Sequence, residues 1–300
     1  MNHKPQKNIK DLFGFDFPED FFQFYDWLQN NKQINLQDDL EIALLDIFDI
    51  FKNDFNENNL FDFIQKFRFY NDPPEFIGLF RGFTDGLHWG YYFDSPEEIS
   101  PIVTFYYHSD SYELENAGNT IFESLRCLIE TNEEVYEDFL ETETDPNMQE
   151  VYHRDMNIYK EIRPLLLPFT SDRSEIGSVY IEKYQSVNSR NHLIIAPTYH
   201  RFGIIAPLDT YKHIDDMQYD LTHKQIENYI DLAYQCLKEG FPATSLQIAH
   251  NFWVGKKTYR EQVNDLFKKS YELLNRKSLI PLLEVAIASR IAFDKENETE

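Results

Sequence analysis

Nine histidines, two cysteines and a large surplus of carboxylates are the residues of this 300-residue chain suited to proton transfer or metal binding. Their spacing narrows what they can do. No two histidines stand four apart, the interval that turns two imidazoles from one helix face toward a zinc ion, and none clusters with Cys127 or Cys236. His192 and His200 bracket an apolar run, so an approach across a turn stands beside the plainer reading of satisfied or exposed histidines. In the stretch RFYNDPPEF, residues 68–76, Asp72 and Glu75 flank Pro73 and Pro74. Polar residues beside paired prolines are ordinary turn chemistry, and a ligand-binding role for either acid is the other reading. The chain has no phosphate-cradling P-loop, no dinucleotide fingerprint and no nucleophile elbow. Any chemistry it takes part in therefore uses few residues and needs help from another protein.

Charge bounds the partners. Against 28 basic residues stand 52 acids, a formal net charge of -24, which repels phosphate backbones and anionic membranes and suits a basic partner or no charged one. Direct nucleic-acid and membrane binding are not expected. Cys127 and Cys236 lie in apolar helical contexts with no start resembling a signal peptide, which predicts reduced, buried thiols in an intracellular protein. No apolar run approaches the length of a bilayer span.

The elements that must position these residues read as α+β. Residues 17–28 place Phe21, Phe24, Tyr25 and Leu28 at helical spacing behind Pro18, and 38–51 reads as a second helix with a broad apolar face. Beyond the paired prolines the runs 76–80, 89–93 and 102–107 are short, aromatic or β-branched, and separated by Gly, Asp and Pro, the pattern of an antiparallel sheet. Proline removes a donor and drives the preceding residue extended, so RFYNDPPEF forms the corner between helix and sheet, with Phe69, Tyr70 and Phe76 entering the core. Helix returns at 119–130. The segment 131–150 is acidic and interrupted at Asp145-Pro146, and marks the expected domain boundary. Helix around 156–163, strand-like runs at 178–184, 193–197 and 203–208, and helices at 225–237, 244–253, 258–275 and 279–291 follow. In the third of these, Tyr259, Val263, Leu266, Phe267, Leu273 and Leu274 form one stripe. The organisation expected is N-terminal helices on an antiparallel sheet (10–130), an acidic connection (131–150), a mainly helical C-terminal domain with a few strands (151–293) and a disordered tail (294–300).

Several motifs resemble one family. RFYNDPPEF, His88-Trp-Gly-Tyr-Tyr-Phe-Asp-Ser-Pro-Glu97, Phe17-Pro-Glu-Asp-Phe-Phe22, Gly118-Asn-Thr-Ile-Phe122, Thr198-Tyr-His-Arg-Phe-Gly-Ile-Ile-Ala-Pro-Leu-Asp209 and Leu282-Leu-Glu-Val-Ala-Ile-Ala-Ser-Arg290 resemble, in family order, the histone PARylation factors, accessory proteins of poly(ADP-ribose) polymerases. The resemblance implies a C-terminal domain that docks on the transferase and lends it a glutamate directing ADP-ribose onto serine. It places Glu239, in Cys236-Leu-Lys-Glu-Gly240, at that catalytic position. Lys238 stands where the family has an acid, a departure that bears on the glutamate's pKa or its contact with the partner. Tyr211-Lys212 occupies the place of the family's Tyr-Arg docking pair, with lysine keeping the charge and losing the planar fork of arginine. An exposed helix-end acid before Gly240 and an exposed loop lysine are the plain readings of Glu239 and Lys212. By this resemblance the chain binds no cofactor of its own, NAD being held by the partner. Histones or another basic protein are further partners, and the location is nuclear in a eukaryote or cytoplasmic in a bacterium. The first half also resembles SUKH-type proteins, many of them toxin-neutralising immunity factors, which makes a binding module without a catalytic role the alternative.

Overall fold

The computed structural model describes residues 3–56, 59–84, 86–106, 114–170, 190–215, 217, 221–255 and 257–297. Helix α1 (His3–Phe13) buries Ile9, Leu12 and Phe13. Pro18 then caps α2 (Glu19–Asn30), whose Glu19 and Asp20 face the positive end of the helix dipole. The face of α2 that turns inward carries Phe21, Phe24 and Trp27, while Tyr25 and Leu28 are only half-buried.

The helix expected over 38–51 is a correction. Helix α3 (Leu36–Leu40) stops at Glu41, which adopts a left-handed φ of 53°. Strand β1 (Ala43–Leu44) follows and pairs with the edge of the sheet, and a 3-10 turn covers Asp46–Phe51. The apolar face was broad because residues on several sides are buried, among them Ile42, Leu45, Ile47 and Ile50. Backbone pairing with a neighbouring strand outweighed local helical spacing.

A short helix, α4 (Leu60–Gln65), leads into the proline corner. Strands β2 (Phe76–Arg81), β3 (His88–Tyr92) and β4 (Ile102–Tyr106) form where the sequence predicts them, and β5 (Leu114–Gly118) completes an antiparallel sheet of order β1-β2-β3-β4-β5. Its two faces are both covered. Tyr91, Phe93 and Val103 point into the main core, and Phe76, Tyr92 and Ile102 form a second cluster with Leu114 and Phe202. At the centre Gly78 pairs with Gly90, where an added Cβ would lie 2.4 Å from the Ile77 carbonyl oxygen. Only glycine permits that approach.

Thr120 caps α5 (Ile121–Thr142), its Oγ1 accepting the Glu123 amide at 3.2 Å. After a three-residue joint, 143–145, α6 (Pro146–Leu166) begins, so most of the acidic segment 131–150 is helical. The strand-like run at 178–184 lies outside the described residues. Strands β6 (Ile194–Ala196) and β7 (Ile204–Ile205) form within the expected runs 193–197 and 203–208 and pair antiparallel. The rest is helical: α7 (His223–Glu239), α8 (Pro242–Asn251), α9 (Arg260–Leu273) and α10 (Leu279–Asn297). Val263, Leu266 and Phe267 of α9 are buried, whereas Leu273, placed in the same stripe by spacing, is exposed at the helix end. Helix α10 continues to Asn297, past residue 294 where the sequence suggested a tail. The fold is α+β, with N-terminal helices on an antiparallel sheet and a helical C-terminal region.

Candidate functional site

Thr222 opens α7 with a capping box shared with Gln225, and Gly240 ends it in a left-handed conformation, φ 88°. The Phe241 amide donates to the Cys236 carbonyl at 2.8 Å, closing the turn. Pro242 then starts α8 immediately, so the α7–α8 joint is short and Glu239 projects from its rim. Its carboxylate sits at the negative end of a helix, where charge is unfavourable. Two partners offset this. Gln235, one turn earlier, donates to Oε1 at 2.6 Å, and Lys212 donates to Oε2 at 3.0 Å. The Gln235 and Lys212 hydrogen bonds hold the carboxyl below its ordinary pKa.

Lys212 is itself positioned by α8. Its amide donates to Thr244 Oγ1 at 2.8 Å, and that hydroxyl donates back to the Lys212 carbonyl at 2.8 Å. Its ammonium lies 5.8 Å from the centre of the Phe241 ring. Tyr211, next in the chain, is half-buried against the core. The structure thus brings Glu239 and Lys212 together across 27 residues of sequence, while Tyr211 turns its ring toward the hydrophobic core. Lys238 is not drawn into this group. It is exposed, and as the helical neighbour of Glu239 it points about 100° away around the axis.

Sequence reasoning missed Gln235, Phe241 and Thr244. Gln235 was legible, since it precedes Glu239 by four residues on one helix. Thr244 was not, because its role arises from a loop returning across α8. An exposed carboxylate held by a lysine and a glutamine can accept a proton or bind a cationic group. Among the described residues, no group of three or more His, Cys, Asp or Glu side chains is placed to hold a metal ion.

The other sequence candidates lie elsewhere. Asp72 and Glu75 are buried at the proline corner. Asp72 bonds His88 Nε2 at 2.8 Å, and Glu75 bonds His250 Nε2 at 3.0 Å and the Tyr271 hydroxyl. Phe76 is buried in the core while Phe69 and Tyr70 are half-buried. His192 is exposed and His200 is buried, its Nε2 3.0 Å from the His250 carbonyl. Cys127 and Cys236 are free and buried, and burial pushes the Cys127 thiol up to about 12.

The family model for histone PARylation factor 1 matches residues 4–223. The chain belongs to the histone PARylation factor 1 family. Histone PARylation factor 1 of Danio rerio is 23% identical over 321 residues, spanning 97% of this chain and 87% of that protein. That of Mus musculus is 23% identical over 318 residues, spanning 95% and 86%. The Bos taurus protein is 22% identical over 212 residues, 68% of this chain and 56% of its own. The family model's match ends at the start of α7, ahead of Glu239, whereas the two longer alignments span nearly the whole chain. Among the described residues no helix is long and apolar enough to cross a membrane.

Proposed function

We propose that this chain is an accessory factor that docks on a poly(ADP-ribose) polymerase-type transferase through Tyr211 and Lys212 and completes its active site with Glu239. The observation that supports this reading is the Lys212–Glu239 contact of 3.0 Å, which holds a cation and a carboxylate together at the surface. The transferase holds NAD and this chain holds none. A serine hydroxyl of a histone tail, or of another basic protein, enters between the two proteins. Glu239 takes the hydroxyl proton as the oxygen attacks the ribosyl carbon and nicotinamide leaves with the bonding electrons. Lys212 is hydrogen-bonded to Glu239 in the free protein, so docking that engages Lys212 releases the carboxylate to act as base. Lys238, one position away, adds positive charge at the rim where the partner arrives. The site of action is the compartment of the transferase, the nucleus in a eukaryotic cell.

Reconstitution with a polymerase, NAD and a histone-tail peptide tests this. The chain alone should transfer no ADP-ribose. With the polymerase, Glu239→Gln should leave complex formation intact and lower serine modification by about a hundredfold, the scale of a lost general base. Tyr211→Ala should instead weaken the complex. Serine modification by Glu239→Gln at the parent rate would remove Glu239 from the mechanism.

A further inference from the structure

A second group of residues, at the other end of α8, has no part in that reading. Trp253 follows α8 and is fully buried, its indole N–H donating to the carbonyls of Asn71 (3.0 Å) and Asp72 (3.1 Å). The guanidinium of Arg290, from α10, lies over the Trp253 ring, 4.3 Å from its centre. Arg290 is 3% exposed, and its Nε and Nη2 have no hydrogen-bond partner among the described residues. Arg260 Nε is likewise a buried donor without an acceptor among the described residues, as is Nδ2 of Asn71, the residue whose carbonyl receives the Trp253 indole.

The charges around Arg290 are mostly positive. Arg260 and Arg68 act on it as like charges and Asp294 as the opposing one. At the surface above it Asp294 is shared between Arg260 and Lys257, the latter at 3.7 Å. Burial, with the Arg260 charge added, pulls the Arg290 pKa down to about 9. A buried guanidinium is ordinarily matched by a carboxylate, since an uncompensated buried charge is costly. Here Asp294, the carboxylate that acts most on Arg290 among the described residues, is paired with two other cations, in a chain whose acids outnumber its bases 52 to 28. A site rich in donors and poor in acceptors is complementary to an oxyanion.

We propose that Arg290, Arg260 and Asn71, on the Trp253 platform, form a binding site for a phosphoryl group, with Asp294 the internal anion that the ligand displaces from Arg260. The excess of cations over one carboxylate favours a multiply charged phosphoryl group over a single carboxylate. The site stands roughly 15 Å along α8 from the Glu239 joint, the length of its ten residues, so it is independent of the catalytic reading.

Calorimetric titration of the full chain with inorganic pyrophosphate and, separately, with ADP-ribose is the test. Saturable binding is expected for the parent. Arg290→Gln and the more exposed Arg260→Gln should each weaken it by about tenfold or more, the loss of a charge-assisted hydrogen bond. Asp294→Asn should tighten it by about tenfold through loss of the competing anion. Lys7→Gln, an exposed change in α1, should leave it unaltered. Pyrophosphate binding alone assigns a terminal phosphoryl group, and binding of both assigns a diphosphate bridge. No saturable binding of either probe, or binding that none of the Arg260, Arg290 and Asp294 changes alters, would overturn the site. Because Arg260 and Asp294 lie near the surface, the test holds even if Arg290→Gln fails to fold.

Discussion

Glu239 is an exposed acid whose neighbours decide its chemistry. A general base must hold its proton weakly enough to release it and strongly enough to take it. The Gln235 and Lys212 hydrogen bonds favour the ionised form, so in the free protein Glu239 is a stable carboxylate. Lys212→Gln is therefore expected to move its pKa upward, toward the ordinary glutamate value, in a carbon-13 NMR titration of the side-chain carboxyl. A titration identical to the parent's would mean that Lys212 exerts no hold on Glu239 in solution. Lys238 is the contrasting residue. Adjacency in sequence made it a candidate, and helical geometry turns it away from the pair.

At the scale of elements, Asp20 links three of them. Its carboxyl is buried on α2 and accepts from the Tyr91 hydroxyl of β3 at 2.7 Å and from the Ile121 amide, the first of α5, at 2.8 Å. It thus serves as a remote cap for α5 while fixing α2 on the sheet. Burial outweighs both hydrogen bonds and raises its pKa to about 6 from 3.8. Between those values the folded state holds a proton that the unfolded state has lost. The contribution of Asp20 to stability accordingly falls as pH rises across this window and stays lost above it. Asp20→Asn keeps an oxygen for both donors and carries no charge. Chemical denaturation should find it more stable than the parent near pH 7, by on the order of 1–3 kcal/mol, with the gap closing below about pH 4. A gap that persists in acid would assign the gain to packing. At the α7–α8 joint, Gly240 at φ 88° ends the helix directly after Glu239.

Across the whole molecule, the proline corner joins the N-terminal sheet to the C-terminal helices. Arg68 gathers the carbonyls of Asp72 (2.5 Å), Pro73 (2.7 Å) and Phe76 (3.1 Å), so the corner is tied from within. Trp253 reaches it from the end of α8, and His250 and Tyr271 reach Glu75 from α8 and α9. Burial alone would raise the Glu75 pKa, but the His250 charge and the His250 and Tyr271 hydrogen bonds outweigh it and leave the carboxyl below its ordinary range. This stabilisation is present above the pKa of an unfolded glutamate and is lost as pH falls through the lower folded value. Glu75→Ala strands two buried partners and should cost about 3–5 kcal/mol. Thermal unfolding at neutral pH is the measurement, and a melting temperature like the parent's would show that the corner does not depend on Glu75. Arg190 makes a second tie, its Nη2 and Nε bonding Asp94 at 2.7 and 2.8 Å beyond the end of β3.

The sequence by itself determined the α+β class, the central strands, most C-terminal helices and the burial of both cysteines, because these depend on local periodicity and on turn residues. It also carried the family motifs and Gln235 at one helical turn from Glu239. Tertiary structure alone decided the fate of residues 38–51, where strand pairing and the left-handed Glu41 replaced an expected helix. It likewise made β5, Leu-Glu-Asn-Ala-Gly, a strand through its ladder with β4 despite low strand propensity. The contacts of Asp72, Glu75, Thr244 and Arg290 were hidden for one physical reason. Each is set by a partner distant in sequence, such as Glu75 and Tyr271 across 196 positions, and no local pattern encodes which carboxylate, carbonyl or ring the folded chain will bring there.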